Sequence, residues 1–100
     1  QVFPDNPRVW YYRYEHMLHK NNPVMAWAEA TYGLKYLPED CQLWFGLACA
    51  SFELGDMNAA EEFLKTSERF KILTERKNMQ GLIVELRGRI KLSLQRKWRR

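Results

Sequence analysis

The sequence predicts an all-α protein: two antiparallel helical hairpins in superhelical stacking, closed by a longer C-terminal helix. Three observations carry this. Trp10 and Trp44 stand 34 residues apart, and Ala26 with Ala60, Asn22 with Asp56, and Gly33 with Ser67 repeat the same interval, as a helical pair written twice would do. Asn6-Pro7 and Asn22-Pro23 each place a capping side chain before a proline at the first helical position. Met79, Leu82, Ile83, Leu86, Ile90 and Leu94 form one apolar stripe at helical spacing near the end of the chain.

The first helix is expected over 7–20, with Val9, Trp10, Arg13, Tyr14, Met17 and Leu18 at 3.6-residue spacing. The second runs from Pro23 to about Tyr36 and stops before Pro38, because the residue preceding a proline is pushed out of the helical region. Pro38-Glu39-Asp40 opens a third helix carrying Leu43, Trp44, Leu47, Ala48, Ala50 and Ser51, and Gly55-Asp56 turns the chain. Asp56 or Asn58 then caps a fourth helix that buries Ala60, Phe63, Leu64 and Ser67. Ala48, Ala60 and Ser67 belong where helices cross, since only short side chains permit close approach, while Trp44 and Leu64 fill the gaps between crossings. The last helix, expected over 75–97, does not continue the repeat, for Asn78 and Gly81 stand where a third copy needs Trp and an aliphatic residue. Gly81 and Gly88 share the face opposite its stripe, with Val84 and Leu92 also outside it.

With Trp44-Phe45-Gly46-Leu47-Ala48, Gly55-Asp56, Ala60, Leu64 and Ser67 in place, the second copy resembles the tetratricopeptide repeat family. The first keeps Trp10, Ala26, Gly33 and Pro38 but has Arg13 and Tyr14 where the pattern takes an aliphatic and a small residue. The resemblance covers residues 7–72, as repeats over 7–38 and 41–72, and implies a stack whose final helix covers the exposed apolar flank. It implies a scaffold or adaptor for protein binding, with the partner's peptide or helix lying along a concave groove built by the first helix of each pair.

Carried over by position, the groove residues are Arg8, Tyr11, Tyr12, Glu15 and His19 from the first copy, and Gln42, Phe45, Cys49, Phe52 and Glu53 from the second. Tyr11, Phe45 and Phe52 would suit an apolar peptide or helix face, or pack on another helix of the same protein. Chaperone-binding members hold a terminal carboxylate with Lys, Asn and Arg. Here Tyr11, Glu15 and Gly46, or Tyr12, Gln42 and Gly46, stand in those places, so the clamp is not expected. Half-a-tetratricopeptide repeats of RNA-processing scaffolds share the Trp-to-Ala spacing. They favour Glu after the Trp and Arg after the Ala, where this chain has Met17 and Ser51, then Trp27 and Glu61.

Composition bounds the rest. One hundred residues with 46% hydrophobic and 14% aromatic content make one domain able to bury a core. Gln1 at the start and the basic run ending at Arg100 read as a piece of a longer chain. No apolar run approaches the ~20 residues of a membrane span. Cys41 and Cys49 fall on one helix about 12 Å apart, too far for a disulfide, and two free thiols suggest a reducing compartment, cytoplasm or nucleus.

Net charge is +4, but residues 1–64 carry four Lys/Arg against nine Asp/Glu and residues 65–100 carry twelve against three. Arg87, Arg89, Lys91, Arg96, Lys97, Arg99 and Arg100, with the ring of Trp98, would suit RNA or an acidic partner. They surround the helix instead of forming a row, and cations also favour a helix C-terminus. Nucleic acid is therefore not the expected partner, whereas self-association through this helix remains an alternative. Glu15, His16 and His19 form the one cluster of metal-ligand type, and two histidines do not close a site. Cys49 has no base at a predictive spacing and no Gly-rich phosphate loop occurs, so neither enzyme activity nor a cofactor is expected.

Overall fold

The computed structural model describes residues 5–74 and 79–98, and it is all-helical over them. Five helices follow in order: α1 (Pro7–His19), α2 (Pro23–Tyr36), α3 (Cys41–Glu53), α4 (Met57–Thr74) and α5 (Met79–Trp98). The expected start of the last helix at 75–78, the side chains of Lys97 and Trp98, and residues 99–100 lie outside the described residues.

Each helix starts where a side chain can take up a free backbone N–H. Asn6 accepts from the Arg8 N–H at 3.1 Å and Asn22 from the Met25 N–H at 3.2 Å, each just ahead of a proline at the first helical position. Asp40 caps α3 through the N–H groups of Gln42 and Leu43. Asp56, not Asn58, caps α4, accepting from the Ala59 N–H at 3.1 Å. Helix ends repeat as faithfully. Asn21 and Gly55, 34 residues apart, take the left-handed conformation at φ 59° and 85°. The N–H groups of Asn22 and Asp56 then reach back to the carbonyls of Met17 and Ser51, closing the same C-terminal turn twice.

Sequential helices pack on one another, α1 also touches α3, and α3 touches α5. The result is a slab of 51 × 29 × 19 Å with α3 at its centre. One buried cluster joins Trp10, Tyr11 and Tyr14 of α1 to Ala26 and Ala30 of α2 and to Leu43, Leu47 and Ala50 of α3. The second joins Cys41 and Ala48 of α3 to Ala60 and Leu64 of α4 and to Met79, Ile83, Leu86 and Ile90 of α5. Phe63 packs against both. A helix walled on both sides must be apolar around its circumference, and α3 carries a single charged residue, Glu53.

Close approach is bought by small residues at specific places. A Cβ on Gly46 would lie 2.9 Å from the Tyr14 ring, and one on Gly33 would lie 2.8 Å from the Trp10 ring. Tyr14 occupies the position where the repeat pattern takes a small residue, and the missing space is found on α3, at Gly46. Arg13, the other departure, lies over the Trp10 ring at 5.4 Å and reaches Glu29 of α2 at 3.8 Å. Ala48, Ala60 and Ser67 are fully buried between α3 and α4, and the Ser67 hydroxyl donates to the Cys41 carbonyl at 2.9 Å.

The two tryptophans differ. Trp10 is buried and stacks on Tyr32 and Tyr36 with centroids 6.2 and 5.9 Å away. Trp44 is half-buried, tilted against Phe63, and its indole N–H donates to the Pro38 carbonyl at 2.9 Å. It therefore braces the loop before α3 more than it fills a helix crossing.

Replacing Gly46 by Ala should cost about 1–3 kcal/mol in urea unfolding, because the Tyr14 ring has no free space to enter. Combining Gly46→Ala with Tyr14→Leu should give a smaller loss than the two single losses added together. Additive losses would mean that the two side chains do not share one space.

Candidate functional site

The ten residues carried into the groove separate into two groups. Arg8, Tyr11, Tyr12 and Glu15 of α1 meet Gln42 of α3 around a hollow of about 550 Å³, with Asn6 and Pro7 at its rim. His19 is exposed at the end of α1 and does not line it. Phe45, Cys49 and Phe52 are half-buried and pack against the cluster that contains the apolar stripe of α5. Arg89 of α5 lies over the Phe52 ring at 4.6 Å and approaches exposed Glu53 at 4.0 Å. The aromatic half of the expected groove on α3 is thus taken up by packing within the chain.

Within the hollow, burial runs from floor to mouth. Tyr11 is buried, and its hydroxyl donates to the Asp40 carboxylate, with oxygens at 2.6 and 2.7 Å. Asp40 itself is 2% exposed and also holds the first N–H groups of α3, so one carboxylate fastens α1 to the start of α3. Tyr12 is the open wall, 69% exposed, with its ring stacked on His16 at 5.8 Å. Arg8 and Glu15 are exposed charges at the mouth.

Gln42 sits between floor and mouth and is 2% exposed. Its Nε2 donates to the Glu15 carboxylate at 3.3 Å, and its amide also bonds the buried Tyr14 phenol. Burial is what chiefly holds that phenol ionisation well above the usual tyrosine range. Gln42 Oε1 is closed off from solvent and has no hydrogen-bond partner among the described residues. An orphaned buried acceptor costs about 1–3 kcal/mol. Turning the amide over would not cure it, since Oε1 would then face the Glu15 carboxylate.

Asn6, Pro7 and Asp40 belong to this site although positional reasoning on the groove passed over them. Asn6 and Asp40 were legible as helix caps, and nothing in the sequence signals that Asp40 also receives a hydroxyl from 29 residues away.

The chemistry available here is recognition. Cys41 and Cys49 are both free, and burial pushes the Cys49 thiol up from 9.0 to about 12, outweighing the nearby Arg89 guanidinium. No group of three or more His, Cys, Asp or Glu among the described residues is placed to hold a metal ion. No helix among them is long and apolar enough to cross a membrane. On α5, the Arg87 guanidinium pairs with Glu68 at 2.5 Å and Arg89 is engaged by Phe52 and Glu53, which takes two cations out of the basic surface. No protein-family model, no curated protein and no solved structure matches the chain.

Tyr11→Phe removes the one side-chain donor that reaches the Asp40 carboxylate across the α1–α3 contact. It should lower stability by about 1–3 kcal/mol in chemical denaturation, and a neutral result would show that Asp40 is satisfied without it. Cys49 should resist iodoacetamide in the native chain at neutral pH and react once the chain is denatured, as followed by mass spectrometry. Its native rate should climb only as pH rises toward about 12, and fast labelling at pH 7 would contradict its burial.

Proposed function

We propose that this chain is a non-catalytic protein–protein interaction module of the tetratricopeptide-like kind, and that the α1–α3 face receives an extended peptide or helix of a partner. The observation that carries the reading is the hollow of about 550 Å³ between α1 and α3, with Tyr12 open to solvent at its wall. A cleft of this size with a few placed polar groups is the usual form of a binding site. The stacked-hairpin reading draws support from the order of helix contacts, in which α1 touches α3 and α3 touches α5. The two equivalent turns at Asn21 and Gly55 support it as well.

The groove is shorter than the resemblance implies. Phe45 and Phe52 face packing duties with α5, so the ligand's contacts concentrate on Arg8, Tyr12, Glu15 and Gln42. Apolar anchoring then falls to Tyr12, and polar anchoring to the other three. An end-cap or dimerisation role is favoured by a different surface: Val84 and Leu92 point outward on α5, and around Gly88 there is open space. An RNA-contacting scaffold of the half-a-tetratricopeptide type would use the remaining cations of the same helix.

A random peptide library displayed on phage, selected against the immobilised chain, tests the reading. Enriched peptides should shift the NMR signals of Tyr12, Glu15 and Gln42. Tyr12→Ala should weaken them by about 1–2 kcal/mol, as loss of an exposed aromatic anchor does, while changing stability by less than about 0.5 kcal/mol. Peptides that map to α5 instead, or RNA bound with a steep salt dependence, would replace this reading by one of the alternatives.

A further inference from the structure

Four polar groups around the hollow set the sign of what it can hold. Glu15 places a carboxylate at the mouth, where its bond to Gln42 Nε2, at 3.3 Å, is long. Below, Tyr11 spends its hydroxyl proton on Asp40, so the phenol oxygen presents lone pairs and the buried carboxylate behind it adds negative potential. Gln42 Oε1 is an acceptor with no donor. Arg8 is the single cation of the lining. Two carboxylates and an idle acceptor outweigh one guanidinium, and the wider surroundings agree: residues 1–64 carry nine Asp/Glu against four Lys/Arg.

The wall agrees too. The Tyr12 ring is mostly exposed and its stacking on His16 leaves the other face of the ring free for a cation. The site thus joins a carboxylate and an exposed aromatic face to a nearby carboxamide that needs a donor. A hydrogen-bond donor of positive charge satisfies all three, and an anion would satisfy only Arg8.

We infer that the α1–α3 hollow is a seat for a single Lys or Arg side chain of a partner peptide, held by the Glu15 carboxylate, the Tyr12 ring and the Gln42 amide. This rests on the peptide-binding reading and deepens it. The ligand's N–H groups replace Gln42 as the donor to Glu15. The released amide can then turn its Oε1 toward the hollow and accept from the same ligand. Gln42 is a detector as well as a contact, because its side-chain NH2 signals report the exchange.

The experiment is an NMR titration of the whole ¹⁵N-labelled chain with capped alanine pentapeptides that carry Arg, Lys, norleucine or Glu at the centre. The Arg and Lys peptides should move the backbone signals of Arg8, Tyr12 and Glu15 and the side-chain NH2 pair of Gln42, and should bind more weakly as salt is raised. Norleucine, which keeps the length of Lys without its charge, should bind about tenfold less well or not at all. Glu15→Gln should lose about tenfold in affinity for the Arg peptide, Arg8→Ala should gain a few-fold, and Glu62→Gln on α4 should change nothing.

Equal losses in Glu15→Gln and Glu62→Gln would mean diffuse attraction and would overturn the proposal. If the norleucine or Glu peptide moves the same signals as tightly as the Lys peptide, cation recognition falls while the groove reading stands. If no peptide moves them, both fall. Glu15 is solvent-exposed, so Glu15→Gln should keep the native melting curve and its result will not be confused with unfolding.

Discussion

The geometry of the candidate site depends on one buried carboxylate. Asp40 receives the backbone N–H groups that begin α3 and the hydroxyl of Tyr11 in the middle of α1. Separating α1 from α3 would leave that charge short of a donor in a place where water reaches it poorly, and this kind of loss is steep. The hollow is held open and in register because its two walls are tied at this point, close to the Gln42 that lines it. Further along the same contact, Gly46 admits the Tyr14 ring and sets how near the helices come.

Much of the architecture was legible in the sequence because helix boundaries are local chemistry. Asn6, Asn22, Asp40 and Asp56 announce four starts, since a cap needs only its own next three residues. The stripe of α5 was legible for the same reason, through its 3.6-residue period. The sequence showed poorly what depends on two distant positions at once. Tyr14 looked like a departure from the repeat pattern, and its compensation at Gly46 lies 32 residues away on another helix. Phe45 and Phe52 looked available to a ligand because their own helix says nothing about where α5 will lie.

The same distinction separates the site residues. Arg8, Tyr11, Tyr12 and Glu15 fall together because one helical face brings them together, and Gln42 joins them across the α1–α3 contact. Whether each is free to bind was not legible: Tyr11 proves to be part of the floor and Gln42 to be buried, whereas Tyr12 is open. Burial is decided by neighbours, so residues of one face can end with opposite roles.

The central position of α3 also bears on how the chain reaches its structure. Helices contact only their first or second neighbours in sequence, and α1 and α5 do not touch. No contact therefore waits on the closure of a chain-length loop, and the entropy lost before the first stabilising contacts form is small. A topology of such low contact order belongs with domains that fold in microseconds to milliseconds. Because both buried clusters draw on α3, the two ends can assemble in either order once α3 has found α2 or α4. A nascent chain could therefore start to organise at its N-terminal end while α5 is still being synthesised.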